Sequence, residues 1–437
     1  MLGALRGDAR VLHVDHHLAH AAAAWRLSGY EQALCLTADG MGDGLSFTAS
    51  RCSASEGITR IWSAPAASSL GLFFEALTEA LGFVPCRDEG KLTGLAANGD
   101  AKAIGRPTPF MWEDGALTYR GTHGRGAVRE FRALLASGHS REDLSAWAQW
   151  VLEETVVALA ERFLGATGAS HLVLAGGIFA NVKLNQRLQE MDAVERIFVC
   201  PNMGDGGLGL GCILEGVDVA PRRLDHVFWG EDYSAAQMAE AVAAKSLPYE
   251  QVDDAAGAIA GLLAQGRIVA RFTGRMEWGP RALGNRSILA DASDRSVVSR
   301  LNGALRRNDF MPFAPAMLHE AADTYLESWQ SGLDAARFMT TCFRCTEAMK
   351  ARFPGVVHVD GTARAQLVAE GENPAFHALL RACEKKLGAG VVLNTSFNIH
   401  EEPIVRTPEE AVRAFEASGI DHLAIGDFIV NRRDYAS

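Results

Sequence analysis

Long apolar runs are missing from this 437-residue chain, so no segment is long enough to cross a bilayer as a helix, and no secretory signal precedes the first expected strand. Those absences exclude a helical membrane protein and point to the cytoplasm. An excess of basic residues is missing too. The formal net charge of −11 disfavours non-specific contact with a phosphate backbone, so nucleic acid is not an expected partner, although a local basic cleft remains compatible with a nucleotide. The eight cysteines are scattered, and Cys35, Cys200 and Cys212 fall in apolar stretches that read as core, the usage of a reducing compartment. The single C-x-x-C, Cys342 and Cys345, has no second pair to complete a zinc site and reads as structural. Repeats and low-complexity tracts are likewise absent. What is present is a hydrophobic content of 48% with 22% charge, over a length that supports two domains with substantial cores.

The pattern is α/β twice over. In the first half we expect a short strand over 11–14, a helix over 18–27, strands over 33–37 and 45–50, and a helix over 72–81. Ser140 and Asp143 open a long amphipathic helix reaching about residue 164, and the strand 171–174 runs into the Gly176-Gly177 turn and a helix through Asn181 and Asn185. The polar, proline-containing stretch 219–225 reads as the boundary, giving domains 1–220 and 221–437.

Chemistry concentrates in a few strings. DHHLAHAAAAW sets His16 and His20 four positions apart, on one helix face, where both imidazoles can reach one metal ion. Two acidic glycine turns, one from Asp39 to Gly44 and one from Asn202 to Gly207 containing Asp205, each follow a strand-like run. Two imidazoles with one or two carboxylates form a mixed nitrogen and oxygen site suited to iron, zinc or manganese. The glycine pair Gly176-Gly177 either lets backbone amides approach a phosphate or adenosine, or serves only tight packing. In the second half, Gly274 to Ser287 packs three arginines and Glu277, which is positioned to orient one of them. Two further strings, His358 to Arg364 and Asn394 to Asn398, begin near strand ends, where ligands of open α/β sheets sit. Together these three point to an anionic ligand.

Through DHHLAHAAAAW, TADGMGDG, SLGLFFEALTEALGF, DEGKLTGLA, LAGGIFANVKLN, NMGDGG, GRMEWGPRALGNRSILAD, PFAPAML, HVDGTARAQ and NTSFN, in order over nearly the whole length, the chain resembles the O-carbamoyltransferases of antibiotic tailoring and nodulation-factor synthesis. The resemblance implies an actin-like ATPase (ASKHA) domain similar to the tRNA threonylcarbamoyl transferase, followed by a twisted-sheet α/β domain similar to threonylcarbamoyl-adenylate synthase. It further implies that the second domain makes carbamoyl-adenylate from carbamoyl phosphate and ATP with Mg2+, and that the first passes the carbamoyl group to an acceptor hydroxyl at an iron-type metal site. By motif, His16, His20 and Asp205 would be metal ligands and Asp39 a further ligand or the base for the hydroxyl, Asp39 and His16 forming the catalytic pair. Fe2+ is the expected ion, with Zn2+ or Mn2+ as alternatives. Gly176, Gly177 and Asn181 would line the adenylate, while Arg281, Arg307, Arg364, Asn394 and Ser396 would hold ATP and carbamoyl phosphate. Lys91 is a further candidate, or a surface lysine.

Two departures from the family pattern set further expectations. Family members carry roughly a hundred residues ahead of the double-histidine motif, and a sheet without its first strands would expose an edge and an apolar face. A separate small protein supplying those strands, or a homodimer, is therefore an expected partner, and a partly degenerate subunit is the alternative to a self-sufficient enzyme. An actin-like sugar kinase would explain only the first domain. Before PFAP, Leu305 and Met311 stand where the family has basic residues, which would weaken a site for phosphate ligands.

Overall fold

The computed structural model describes residues 11–217, 219–305, 313–399 and 402–432. Two sheets organise it. The first has five strands in the order Gly57–Pro65, Leu45–Ser53, Gln32–Gly42, His171–Ala175, Arg196–Val199. Its central strand Gln32–Gly42 pairs antiparallel with Leu45–Ser53 and parallel with His171–Ala175, and it is buried from Ala33 to Ala38. Burial on both faces explains why this strand reads as a continuous apolar run and not as an alternation. The helix His16–Ser28 packs on this sheet behind an N-cap, the Asp15 side chain accepting from the Leu18 amide at 2.9 Å. The long helix Arg141–Thr167 starts as expected, with Ser140 accepting from the Asp143 amide, and Asn181 caps the helix Val182–Gln189.

Two local expectations are corrected. Residues 11–14 form no strand, and Val11 and Leu12 are 47% and 55% exposed, so nothing pairs or buries them. The strand Gly57–Pro65 was not foreseen; its exposed, polar alternation carries little apolar signal, and its place comes from pairing with Leu45–Ser53.

The second sheet has eight strands in the order Gln366–Val368, Ala314–Leu318, Val391–Ser396, Arg286–Asp291, Val269–Phe272, His422–Ile425, Phe428–Asn431, Tyr249–Gln251. Its inner strands Val269–Phe272 and His422–Ile425 are wholly buried, with helices such as Ala255–Ala264 and Pro374–Leu387 packed against each other over one face. The chain is thus α/β in both halves.

The halves are not merely tethered. Ala335, Phe338 and Met339 belong to the hydrophobic core built on the first sheet, and the short helices Gln330–Gly332 and Leu333–Ala336 lie against its edge strand Arg196–Val199. At this seam Asp334, 1% exposed, accepts from the Tyr30 hydroxyl at 2.8 Å, pairs with Arg196, and meets Arg223 at 3.4 Å. Burial and the neighbouring Asp334 anion push the Tyr30 phenol well above its usual range, so it stays a donor. Removing Asp334 would leave the buried Tyr30 hydroxyl without its acceptor, which costs about 2 kcal/mol, whereas Arg196 and Arg223, 40% and 47% exposed, turn to water. Asp334→Ala should therefore lower unfolding stability by about that amount in urea titration; an unchanged midpoint would show that the seam does not depend on this carboxylate.

Candidate functional site

Four side chains from three separated segments converge at one end of the first sheet. His16 and His20 lie one turn apart on the helix His16–Ser28, their rings edge to face with centroids 4.8 Å apart. Asp39 leaves the central strand just after its parallel pairing with His171–Ala175 ends, and Asp205 opens the short turn before the helix Leu208–Gly216. His20 Nε2 is 3.1 Å from Asp39 Oδ2 and 3.5 Å from Asp205 Oδ1; His16 Nε2 is 3.6 Å and 3.7 Å from the same two oxygens. All four ligand atoms lie within 4.8 Å of one another.

The chemistry of this donor set fits a divalent ion. Both imidazoles aim Nε2 at the centre, and His16 Nε2 is buried without a hydrogen-bond partner in the protein. Burial alone would raise the Asp39 carboxyl, but donation from His20 and from the Gly40 and Gly177 amides outweighs it and holds the group well below the usual carboxylate range. Glycine is required around it: a Cβ on Gly176 would overlap the Ala38 carbonyl, and one on Gly42 would overlap the His16 ring. Gly176 has φ +101, a conformation that side chains disfavour. The neighbouring His17 is buried, its Nδ1 lying 2.7 Å from Thr37 Oγ1, and burial pushes its imidazole down to about 4, leaving it a neutral packing residue.

A second feature is a cavity of about 830 Å3 between the halves. Arg281, Arg364, Asn394 and Ser396 line it from the second half, and Lys91, Gln149 and Lys183 from the first. Arg281 donates to the Ala180 carbonyl at 3.3 Å, and neither Arg281 Nε nor Arg364 Nε has a partner. Burial, with Arg364 nearby, pushes Arg281 down to about 9, and burial lowers Arg364 as well. Two half-buried cations with no carboxylate paired to them among the described residues make a site that favours an anion. The Asn394 amide donates to the Ala282 carbonyl at 3.2 Å and to Gln366 Oε1 at 3.0 Å, while its Oδ1 is buried without a partner.

Family models described as carbamoyltransferase N-terminus and carbamoyltransferase C-terminus match residues 6–214 and 260–432. The chain belongs to the carbamoyltransferase family. It is an enzyme of the α/β class. Nodulation protein NolO of Bradyrhizobium diazoefficiens is 35% identical over 96% of this chain and 79% of its own length. The 3'-hydroxymethylcephem-O-carbamoyltransferase of Streptomyces clavuligerus is 30% identical over 78% of this chain and 64% of its own. A crystal structure of HypF from T. kodakarensis aligns over 42% of this chain and 21% of its own at 21% identity, with a TM-score of 0.30, too slight a likeness to carry a conclusion.

In this carbamoyltransferase the sequence-derived site residues fall into two groups. His16, His20, Asp39 and Asp205 come together, with Gly176 and Gly177 beside Asp39. Arg281, Arg364, Asn394 and Ser396 come together in the cavity. Asn181 stands between the groups, but its side chain is already engaged: it caps a helix and exchanges hydrogen bonds with Gln149 at 2.7 and 3.0 Å. Lys91 is no surface lysine, being 13% exposed and 3.0 Å from Asp88 at the cavity wall.

Three readings need correction or stand aside. Glu277 orients no arginine by direct pairing; its Oε1 accepts from the amides of Leu283, Asn285 and Arg286 at 2.9, 2.9 and 3.1 Å and so shapes the loop that carries Arg281. Leu305, expected at the place of a family cation, is 2% exposed in the core of the second half and is not among the residues that line the cavity. Arg307 and Met311, with Arg306, lie outside the described residues. The motifs gave no sign of the Asp334 seam or of the partnership between Lys183 and Asp360 across the cavity, because both join residues more than a hundred positions apart.

Proposed function

We propose that this carbamoyltransferase is an O-carbamoyltransferase that works in two steps, forming carbamoyl-adenylate in the cavity and passing the carbamoyl group to a hydroxyl of a small-molecule or sugar acceptor at the His16, His20, Asp39, Asp205 cluster. The observation that carries this reading is the pair of uncompensated arginines, Arg281 and Arg364, facing a cavity large enough for a nucleotide. Water cleaves carbamoyl phosphate to carbamate, orthophosphate and a proton, and a carbamate oxygen then displaces pyrophosphate from the α-phosphorus of ATP, with Mg2+ accompanying the nucleotide; the acceptor hydroxyl later displaces AMP from the carbamoyl carbon and loses its proton. Orthophosphate and pyrophosphate carry away charge that Arg281 and Arg364 are placed to offset, with the Asn394 Oδ1 acceptor and the Ser396 hydroxyl free to fix the ligand's orientation. Arg307 would join them if its side chain reaches the same cavity.

At the cluster, a divalent ion, iron by preference and zinc or manganese otherwise, would be held by the two imidazoles and two carboxylates and would supply polarisation of the carbamoyl carbonyl. His16 presents an unengaged Nε2 there, and Asp39 is kept anionic by its three donors. That makes Asp39 a better ligand than proton acceptor. Gly176 and Gly177 bring backbone close to Asp39, leaving room for the adenylate beside it. All eight cysteines are free thiols, as suits a reducing cytoplasm, and among the described residues no helix is long and apolar enough to cross a membrane.

A requirement for a partner is favoured by a separate observation. The helix Leu208–Gly216 has the sequence LGLGCILEG, yet of its nine residues only Gly211 is buried, and Ile213 and Val217 are 61% and 59% exposed. Leu12 reaches Gly216 and is itself 55% exposed. So apolar a surface beside the cluster suits a protein contact, through either a small chain that supplies further strands or a second copy of this one.

Three measurements test these readings. Replacing His16 and His20 together with Ala should reduce bound metal from about one ion per chain to background by inductively coupled plasma mass spectrometry, with the circular dichroism of the fold retained; wild-type metal content in the double variant would place the ion elsewhere. With ATP and carbamoyl phosphate, the chain should release pyrophosphate, and Arg281→Gln or Arg364→Gln should slow release at least about tenfold, equivalent to about 1.4 kcal/mol. No release under any condition would favour the degenerate subunit. Native mass spectrometry from the source cell should find the chain in a complex or dimer; a stable lone monomer would remove the partner.

A further inference from the structure

The cavity between the halves holds another cation that this reading leaves unused. Lys183 stands in the first turn of the helix Val182–Gln189, in the first half, yet it lines the same cavity as Arg281 and Arg364. Its ammonium is 2.8 Å from Asp360 Oδ2 and donates to Gln186 Oε1 at 2.8 Å. Lys183, Arg364 and Arg281 line this cavity together with Asp360 and the Cys342 thiol.

Asp360 does not depend on Lys183 alone. Its Oδ1 accepts from the Thr362 amide at 3.1 Å and the Thr362 hydroxyl at 2.6 Å, and lies 3.2 Å from His358 Nδ1. The carboxylate would therefore remain satisfied on one oxygen if the lysine turned away. Lys183 is 26% exposed, and an ammonium on a four-carbon stem is a mobile point charge that reorients without moving backbone. Arg281, by contrast, is tied to the Ala180 carbonyl.

We propose that Lys183 is a further anion-binding residue of this cavity, with Asp360 as its resting counter-ion, and that it moves onto the phosphate oxygens of a ligand held by Arg281 and Arg364. A nucleoside triphosphate, its pyrophosphate product or an acyl phosphate has the required oxygens. The bound anion then joins both halves of the chain through cations from each. This rests on the reading of the cavity as the site of ATP and carbamoyl phosphate.

The competing role for the pair is a fixed latch between the halves, and the two roles predict opposite effects at Asp360. Binding of inorganic pyrophosphate to the full chain is measured by calorimetry for the wild type and for Lys183→Met, Asp360→Asn and Arg281→Gln. Loss of one charge-assisted contact should weaken binding by Lys183→Met about tenfold. Asp360→Asn, which frees the lysine, should bind as tightly as wild type or more tightly. If Lys183→Met stays within twofold of a wild type that Arg281→Gln weakens, the cavity reading stands and the role of Lys183 is wrong. If Lys183→Met and Asp360→Asn weaken binding alike, the pair is a latch and the proposal is again overturned. A wild type with no measurable affinity, unchanged by Arg281→Gln, would sink the cavity reading and this inference with it.

Discussion

The buried carboxylate of Asp334 is the constraint on which the rest of the arrangement hangs. It sits in a segment of the second half yet is satisfied by Tyr30, Arg196 and Arg223, all from before the second sheet begins. An anion this deeply buried is tolerable only with such partners around it, so the seam is specified as well as stabilised. Phe338 and Met339 follow into the first core, and Arg344 forms a two-pronged bridge to Glu190 with both contacts at 3.0 Å. With the halves fixed this way, the strand ends of the second sheet face helices of the first, and the cavity is the space left between them.

A single loop then carries the relation between the two polar centres. Glu277 gathers three amides of that loop on one oxygen, and Arg286, fully buried, donates to the Thr273 carbonyl at 2.6 Å while lying 3.7 Å over the Phe272 ring. The loop's outer turn reaches the first half at two points. A Cβ on Gly279 would come within 2.8 Å of the Pro201 carbonyl, four residues before Asp205, and Arg281 touches Ala180, just beyond the glycine pair beside Asp39. The cavity and the metal-type cluster are therefore neighbours through backbone contact, and not only through shared solvent.

The electrostatics of the two centres differ in kind. In the cluster, two imidazoles, neutral when they ligate, converge with two carboxylates, so the donor set is chelating in geometry and brings two negative charges that a divalent ion balances. In the cavity, Arg281 and Arg364 repel each other, and among the described residues neither is paired with a carboxylate, whereas Lys183 meets Asp360 and Lys91 meets Asp88. An anionic chelating set suits a resident cation; a cationic one suits a ligand that brings its own negative charge and leaves again.

Much of this was legible in the residues alone. Spacing of four put His16 and His20 on one helix face, strand-then-glycine patterns put Asp39 and Asp205 at strand ends, and the ordered motifs carried the family. The seam was not legible, since Tyr30, Arg196 and Asp334 announce nothing locally and meet only after both sheets have formed. Nor was the true work of Glu277, because a carboxylate among arginines reads as an ion-pair partner until the loop closes on it. Leu305 shows the same limit from the other side: its position in a motif said nothing of its packing, and the structure places it in the core. Local periodicity and side-chain chemistry act within a few residues, so the sequence by itself determined the α/β elements and the residue types of both centres. Which charges meet a partner across the chain, and which are left facing a cavity, is set by contacts between distant segments, and only the tertiary structure decided that.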